Sequence, residues 1–196
     1  MRSRIGVLAS LTLCLAIAGC AGAPTRTGMA LPEDLSELAH WQARGRMGVS
    51  GAGNGGSGSF AWEQHKDRAN VQIRGPVGIG SVRLQMSGSG PSPDVQLETG
   101  DGQVFQAEHA WTELEARLGT AVPAGKLRYW MLGVPAPGDH VWLSDPKSEM
   151  PLLEQDGWRI EYQYSDEFGA RLPRRIRAAS GEAQVRIVVD RWSFDR

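Results

Sequence analysis

Apolar and polar positions alternate along much of this chain. In "FAWEQ", Phe60 and Trp62 fall on one side, and "NVQIRG" does the same with Val71 and Ile73. "SVRLQMSG" repeats the pattern with Val82, Leu84 and Met86, and "DVQLETG" with Val95 and Leu97. A period of two marks a strand with one dry and one wet face. Gly, Asn, Asp and Ser punctuate these runs at short intervals, so neighbouring strands are expected to pair as antiparallel hairpins. The period then changes. "QAEHAWTELEARLG" sets Ala107, Trp111, Leu114 and Leu118 along one helical stripe with Gly119 as a stop, and "VPAGKLRYWMLGVPAPG" adds a second short helix carrying Leu127, Trp130 and Met131. Strands resume in "GWRIEYQYS", "RLPRRIRAAS" and "AQVRIVVDRWSF". A further short amphipathic helix is predicted in "PEDLSELAHWQA", capped by Asp34 and followed by Leu35, Leu38 and Trp41 or Gln42. The order strands, two helices, strands predicts one mainly-β (α+β) domain, an antiparallel meander curled around its helices.

Two glycine-rich stretches interrupt this pattern. "SGAGNGGSGS", Ser50 to Ser59, contains a formal G-x-G-x-x-G at Gly51, Gly53 and Gly56. The dinucleotide fingerprint needs that motif between a strand and a helix, whereas here it precedes a strand, so a long flexible hairpin loop is expected. "RGPVGIGS", Arg74 to Ser81, spells a turn, yet Val77 and Ile79 are apolar. Val77 stands at or near the tip, where little protein surrounds it, while Ile79 could fold back under the sheet.

The N-terminus changes the picture of where such a domain works. Arg2 and Arg4 precede a mostly apolar run from Ile5 to Ile17, shorter than the roughly 20 residues a spanning helix needs. The run ends in "IAGC", which resembles the bacterial lipobox, whose cysteine receives a diacylglycerol thioether and becomes the acylated first residue. A free or disulfide-bonded cysteine is the alternative, but the other cysteine, Cys14, lies in the segment to be removed. Residue 21 is Ala rather than Asp, which by resemblance favours the outer membrane. Residues 1–19 thus read as a lipoprotein signal peptide, 20–31 as lipidated N-terminus and flexible tether, and 32–196 as a single domain.

Cleavage leaves 177 residues (196 less 19), with 19 Lys and Arg against 22 Asp and Glu, a formal balance of −3. That length suffices for a core. The balance gives no reason to expect nucleic acid or electrostatic membrane attachment.

Catalytic tools are scarce. His40, His65, His109 and His140 are scattered, without metal-ligand spacing. No G-x-S-x-G elbow is present, and Ser144 to Lys147 matches S-x-x-K only with Pro146 inside it, which reads as a turn. No enzyme activity, metal or cofactor is expected beyond the covalent acyl group on Cys20. Seven Trp against four Phe are more telling: a curled sheet with aromatic faces can leave an apolar hollow.

Several stretches resemble a known family. "HWQARGRMGVS…GSFAWEQ", "IRGPVGIGSVRL", "PAGKLRYWMLGVPAPG", "LLEQDGWRIEYQYS" and "VRIVVDRW" run in order over roughly residues 38–192 and look like LolB, the outer-membrane lipoprotein receptor. The L-x-x-W-[ILM]-x-G-x-P motif at Leu127 to Pro135 and "QDGW" at Gln155 to Trp158 are the most specific. The glycine-rich stretch, and Val77 where a larger Leu is usual, depart from the family pattern. The resemblance implies an unclosed antiparallel β-barrel with a helical lid over an apolar cavity. It also implies a monomer facing the periplasm that accepts acylated lipoproteins from a LolA-type carrier and delivers them into outer-membrane lipid. Candidate cavity-lining residues are Trp62, Leu84 and Met86 on strands, Trp111, Leu114, Trp130 and Met131 on the lid helices, and Ile160 and Tyr162 on a late strand. Val77, with Ile79, is the implied membrane-facing loop. A LolA-type carrier would share the fold but lack Cys20. A structural lipoprotein that scaffolds envelope assembly would keep the anchor over a filled core.

Overall fold

A computed structural model of the chain describes residues 31–51, 54–75, 80–88, 93–118, 123–143, 150–166 and 171–194. Contacts divide the chain into two units, Met1–Ala30 and Leu31–Arg196, and the described residues belong to the second. Eleven strands form one antiparallel sheet: β1 (His40–Gly51), β2 (Asn54–His65), β3 (Arg68–Arg74), β4 (Ser81–Ser87), β5 (Asp94–Thr99), β6 (Val104–Gln106), β7 (Val141–Leu143), β8 (Leu152–Gln155), β9 (Trp158–Tyr164), β10 (Pro173–Ser180) and β11 (Ala183–Ser193). Their order across the sheet is β6-β5-β4-β3-β2-β1-β11-β10-β9-β8-β7. Within β1–β6 and within β7–β11 neighbours in sequence are neighbours in space, and the pairing of β1 with β11 joins the two meanders. The two ends, β6 and β7, do not pair, so this is an unclosed, curled barrel. Between them in sequence lie α1 (Ala107–Leu118) and α2 (Ala124–Met131).

Alternation decides which side chains enter the core. β4 is buried at every second residue, with Val82, Leu84 and Met86 inward, and β9 repeats this with Trp158, Ile160 and Tyr162. The dry faces of both meanders join in one core with Ala110 and Leu114 of α1 and Trp130 and Met131 of α2.

The structure corrects three sequence-based expectations. The helix expected in "PEDLSELAHWQA", residues 32–43, shrinks to a single 3-10 turn, Leu35–Glu37, capped by Asp34, whose carboxylate accepts from the Ser36 N–H at 2.8 Å. That contact holds the Asp34 carboxyl below its ordinary pKa. Trp41 and Gln42 are already in β1, where Trp41 turns inward among Trp62 and Trp192. Burying that indole in an aromatic cluster outweighs one more turn of a short helix. The glycine-rich stretch is likewise strand: β1 and β2 stay in register from His40 opposite His65 to Gly51 opposite Asn54, and only residues 52 and 53 of the stretch lie outside the described residues. Its glycines permit close approach. A Cβ on Gly58 would stand 2.4 Å from the Arg74 carbonyl oxygen, and one on Gly55 would stand 2.5 Å from that of Val49. On α1 the inner stripe runs through Ala110 and Leu114, while Ala107 is exposed at the strand-to-helix junction with φ 50°.

Candidate functional site: an apolar hollow under two helices

Between the curled sheet and the two helices lies a hollow of about 50 Å³. Every residue that walls it is apolar. Phe60 and Trp62 come from β2, Val71 and Ile73 from β3, Leu84 and Met86 from β4, Met47 and Val49 from β1, and Val185 and Ile187 from β11. The roof is Leu114 of α1 with Leu127 and Met131 of α2. The space admits only a few water-sized molecules and has no polar wall to hold them. Its chemistry suits hydrocarbon.

Of the residues expected to line a cavity, Trp62, Leu84, Met86, Leu114 and Met131 meet here. Four others are placed elsewhere. Trp111 is half-buried on α1 and packs against the core beside the hollow. Trp130 is buried, but its indole N–H donates to Gln155 Oε1 at 3.0 Å and its ring lies 6.0 Å from that of Trp158. Ile160 and Tyr162 are fully buried in the second meander, where Ile160 stands opposite Leu153 and Ala178, and Tyr162 opposite Ile176. A late strand has an inner face, but that face meets packed side chains rather than open space. Conversely, Met47, Val49, Phe60, Val185 and Ile187 wall the hollow although they are not among the residues expected to line it. Alternation already sets Phe60 on the side of Trp62; the β1–β11 pairing brings Met47, Val49, Val185 and Ile187 to this wall. Cys20, Val77, Ile79, Leu118's side chain and the Ser144–Lys147 segment lie outside what the structure describes.

Polar groups at the margins are tied down. Trp62 donates its indole N–H to Gln64 Oε1 at 2.9 Å, and Gln64 Nε2 donates to the Lys66 carbonyl at 2.8 Å. Trp192 donates to the Pro173 carbonyl at 3.2 Å. The stacked Trp41 and Trp62 rings, 5.6 Å apart, with Trp192 against Trp41, fill the interior beside the hollow. Most of the tryptophans are therefore packing.

The two helices are held differently. Gln155, itself buried, grips the segment after α2: its Nε2 donates to the Ala136 carbonyl at 2.7 Å, and its Oε1 accepts from the Ala136 N–H at 3.0 Å as well as from Trp130. Lys126 of α2 forms an ion pair with Asp156 in the β8–β9 turn. That turn is a two-residue hairpin with Asp156 at φ 49° and Gly157 at φ 75°, as Asp-Gly favours. Hence "QDGW" and the Trp130 motif are one physical unit, the clamp that fixes α2. α1 sets only Ala110 and Leu114 fully into the core. Trp111 packs half-buried beside them.

The Tyr162 hydroxyl is buried and has no hydrogen-bond partner among the described residues. Burial, with the neighbouring Tyr164, pushes its pKa far above the ordinary tyrosine range, and burial raises that of Tyr164 too. Neither tyrosine is poised for proton transfer. Among the described residues no cluster of three or more His, Cys, Asp or Glu could hold a metal ion.

Comparison with known proteins follows the same lines. Residues 39–192 match the family model described as "LolB: Outer membrane lipoprotein LolB". "Outer-membrane lipoprotein LolB" of Stutzerimonas stutzeri is 33% identical over 192 residues, 92% of this chain and 91% of its own. The protein of that name in Pseudomonas fluorescens is 34% identical over 188 residues, 90% of each chain. A DUF1329 family protein from Desulfovibrio piger, of solved structure, aligns over 82% of this chain and 87% of its own at 9% identity with a TM-score of 0.43, a likeness too slight to argue from.

Proposed function

The chain belongs to the LolB family, and we propose that it is an outer-membrane receptor that takes acylated lipoproteins from a LolA-type periplasmic carrier. It holds their acyl chains between sheet and helices and releases them into the membrane. The observation that carries this reading is the hollow itself, walled by apolar side chains alone beneath two helices. It is a binding function without catalysis.

At about 50 Å³ the hollow is too small for a long acyl chain, so cargo must displace part of the roof. α1 is the part that yields, since α2 is clamped through Gln155 and Lys126. Lifting Leu114 out of the core costs about 2 kcal/mol, and burying three methylenes at about 0.8 kcal/mol each offsets it. Long acyl chains therefore open the roof themselves, and no nucleotide is needed. Cys20, thioether-linked to diacylglycerol, holds the domain at the membrane. Val77, between β3 and β4 in sequence, is the residue that dips into the headgroup boundary in this reading, worth about 1–2 kcal/mol for a valine-sized side chain. That biases where the cargo leaves without anchoring the protein.

The small volume is the one feature that favours a second reading, a structural lipoprotein with a filled core. A transfer assay separates the two. Full-length protein in vesicles is mixed with a LolA-type carrier loaded with an acylated lipoprotein. Cargo should move to the receptor and then to lipid. Val77→Glu should leave uptake nearly intact and slow delivery, so that cargo accumulates on the receptor. If no cargo leaves the carrier, the receptor reading is wrong.

A further inference from the structure

The outer, wet face of the sheet holds a feature that the acyl-chain reading does not use. On the β1–β11 pair, Arg44 lies directly opposite Arg191. Both side chains point outward and are exposed. Like charges directly opposite on one face of a sheet repel. Neither arginine has an acidic partner among the described residues, although acidic partners are common elsewhere on this face: Arg83 pairs with Glu98 at 2.7 Å and Arg159 with Glu154 at 2.9 Å. The juxtaposition comes from a β-bulge. The register shifts between Arg44 and Gly45, leaving Asp190 unpaired in the ladder, so Asp190 and Arg191 both face outward in succession. Bulges re-aim side chains and are enriched beside functional sites. The same face is dished into an open concavity of about 640 Å³ that also takes in Arg46 and Arg74. Arg46 reaches Asp190 at 3.5 Å, and Arg74 donates to the neutral Gln72 Oε1 at 3.4 Å. Four guanidinium groups thus face two carboxylates, Asp190 and Glu63, in a chain whose formal net charge is −1.

We propose that this concavity is a phosphate-ester site, with Arg44 and Arg191 gripping the oxyanion from the two strands and Arg46 and Arg74 closing it from the side. Planar guanidinium forks match phosphate oxygens two at a time, and an anion between Arg44 and Arg191 turns their repulsion into shared attraction. The site is independent of the acyl hollow, on the opposite face of the same strands. The phosphate is either that of a lipid headgroup or that of a soluble ester.

Thermal unfolding of the full chain in a non-ionic detergent tests this, with chloride held at equal ionic strength. Millimolar glycerol phosphate should raise the Tm, as any ligand of the folded state does. Arg44→Gln or Arg191→Gln should weaken that apparent affinity at least tenfold while melting no lower than the parent in phosphate-free buffer. Arg177→Gln, whose arginine pairs with Glu161 at 4.0 Å on the same face, should respond as the parent does. If glycerol phosphate gives the arginine-dependent shift, a soluble ester suffices. If only micelles doped with phosphatidylglycerol give it, the site reads headgroups. A shift that both arginine variants retain, or no shift beyond that of chloride with either probe, overturns the proposal.

Discussion

Trp130 and Gln155 are joined by a buried hydrogen bond of 3.0 Å, and through it the roof of the hollow is tied to the second meander. The same amide serves both backbone groups of Ala136, so one side chain satisfies three buried partners. Gln155→Ala leaves all three without a partner. A loss of about 3 kcal/mol follows, from the usual penalty for unpaired buried polar groups. Urea unfolding should show a lower midpoint with an unchanged slope. A loss below about 0.5 kcal/mol, less than a single typical hydrogen bond contributes, would mean the clamp does not hold α2.

Tyr162 should behave in the opposite sense. Its hydroxyl is buried and unpartnered among the described residues, so Tyr162→Phe removes a desolvated polar group at little packing cost. The variant should be as stable as the parent or up to about 1 kcal/mol more stable at neutral pH. The pH dependence has a definite sign. Because the folded-state pKa is raised, the unfolded chain loses the phenolic proton first as pH climbs past about 10, and stability falls from there upward. Tyr162→Phe should flatten part of that alkaline limb. An unchanged limb would mean the hydroxyl reaches water.

The unequal fastening of the helices predicts unequal opening. Backbone amides of Ala107–Leu118 should exchange with deuterium faster than those of Ala124–Met131, because α2 is clamped through Gln155 and Lys126. Hydrogen exchange read by mass spectrometry checks this. Equal protection would assign the opening to both helices moving together.

Much of this fold is legible in the amino-acid sequence alone, and the parts that are not have physical reasons. β3, β4, β5 and β9 announce themselves because large aliphatic or aromatic residues occupy nearly every inward position. β1 hides because Ala43 and Gly45 occupy two of its inward positions, while Leu35, Leu38 and Trp41 imitate a helical stripe. The glycines of β2 signal flexibility by composition, yet Gly55 and Gly58 are there because neighbouring backbones leave no room for a Cβ. As for the site, apolar character places Trp130, Ile160 and Tyr162 in the interior but does not say which wall they face. Trp62, Leu84 and Met86 share a wall because β2, β3 and β4 pair in sequence order, which alternation implies. The opposition of Arg44 and Arg191 depends on a bulge in a long-range strand pair, and no local pattern carries it.

Whether the hollow takes acyl chains decides the rest, and native mass spectrometry of the full chain with a synthetic diacylated lipopeptide answers it. Met131 is almost completely buried, so Met131→Asp confounds binding with folding. Leu127 also roofs the hollow but is only partly buried, and it is the cleaner probe. The parent should form a one-to-one complex in which α1 amides exchange faster than in the free protein. Leu127→Asp should weaken the complex at least tenfold while keeping a cooperative unfolding transition. No complex with the parent, or a complex that Leu127→Asp leaves intact, would rule out the hollow as the acyl-chain site.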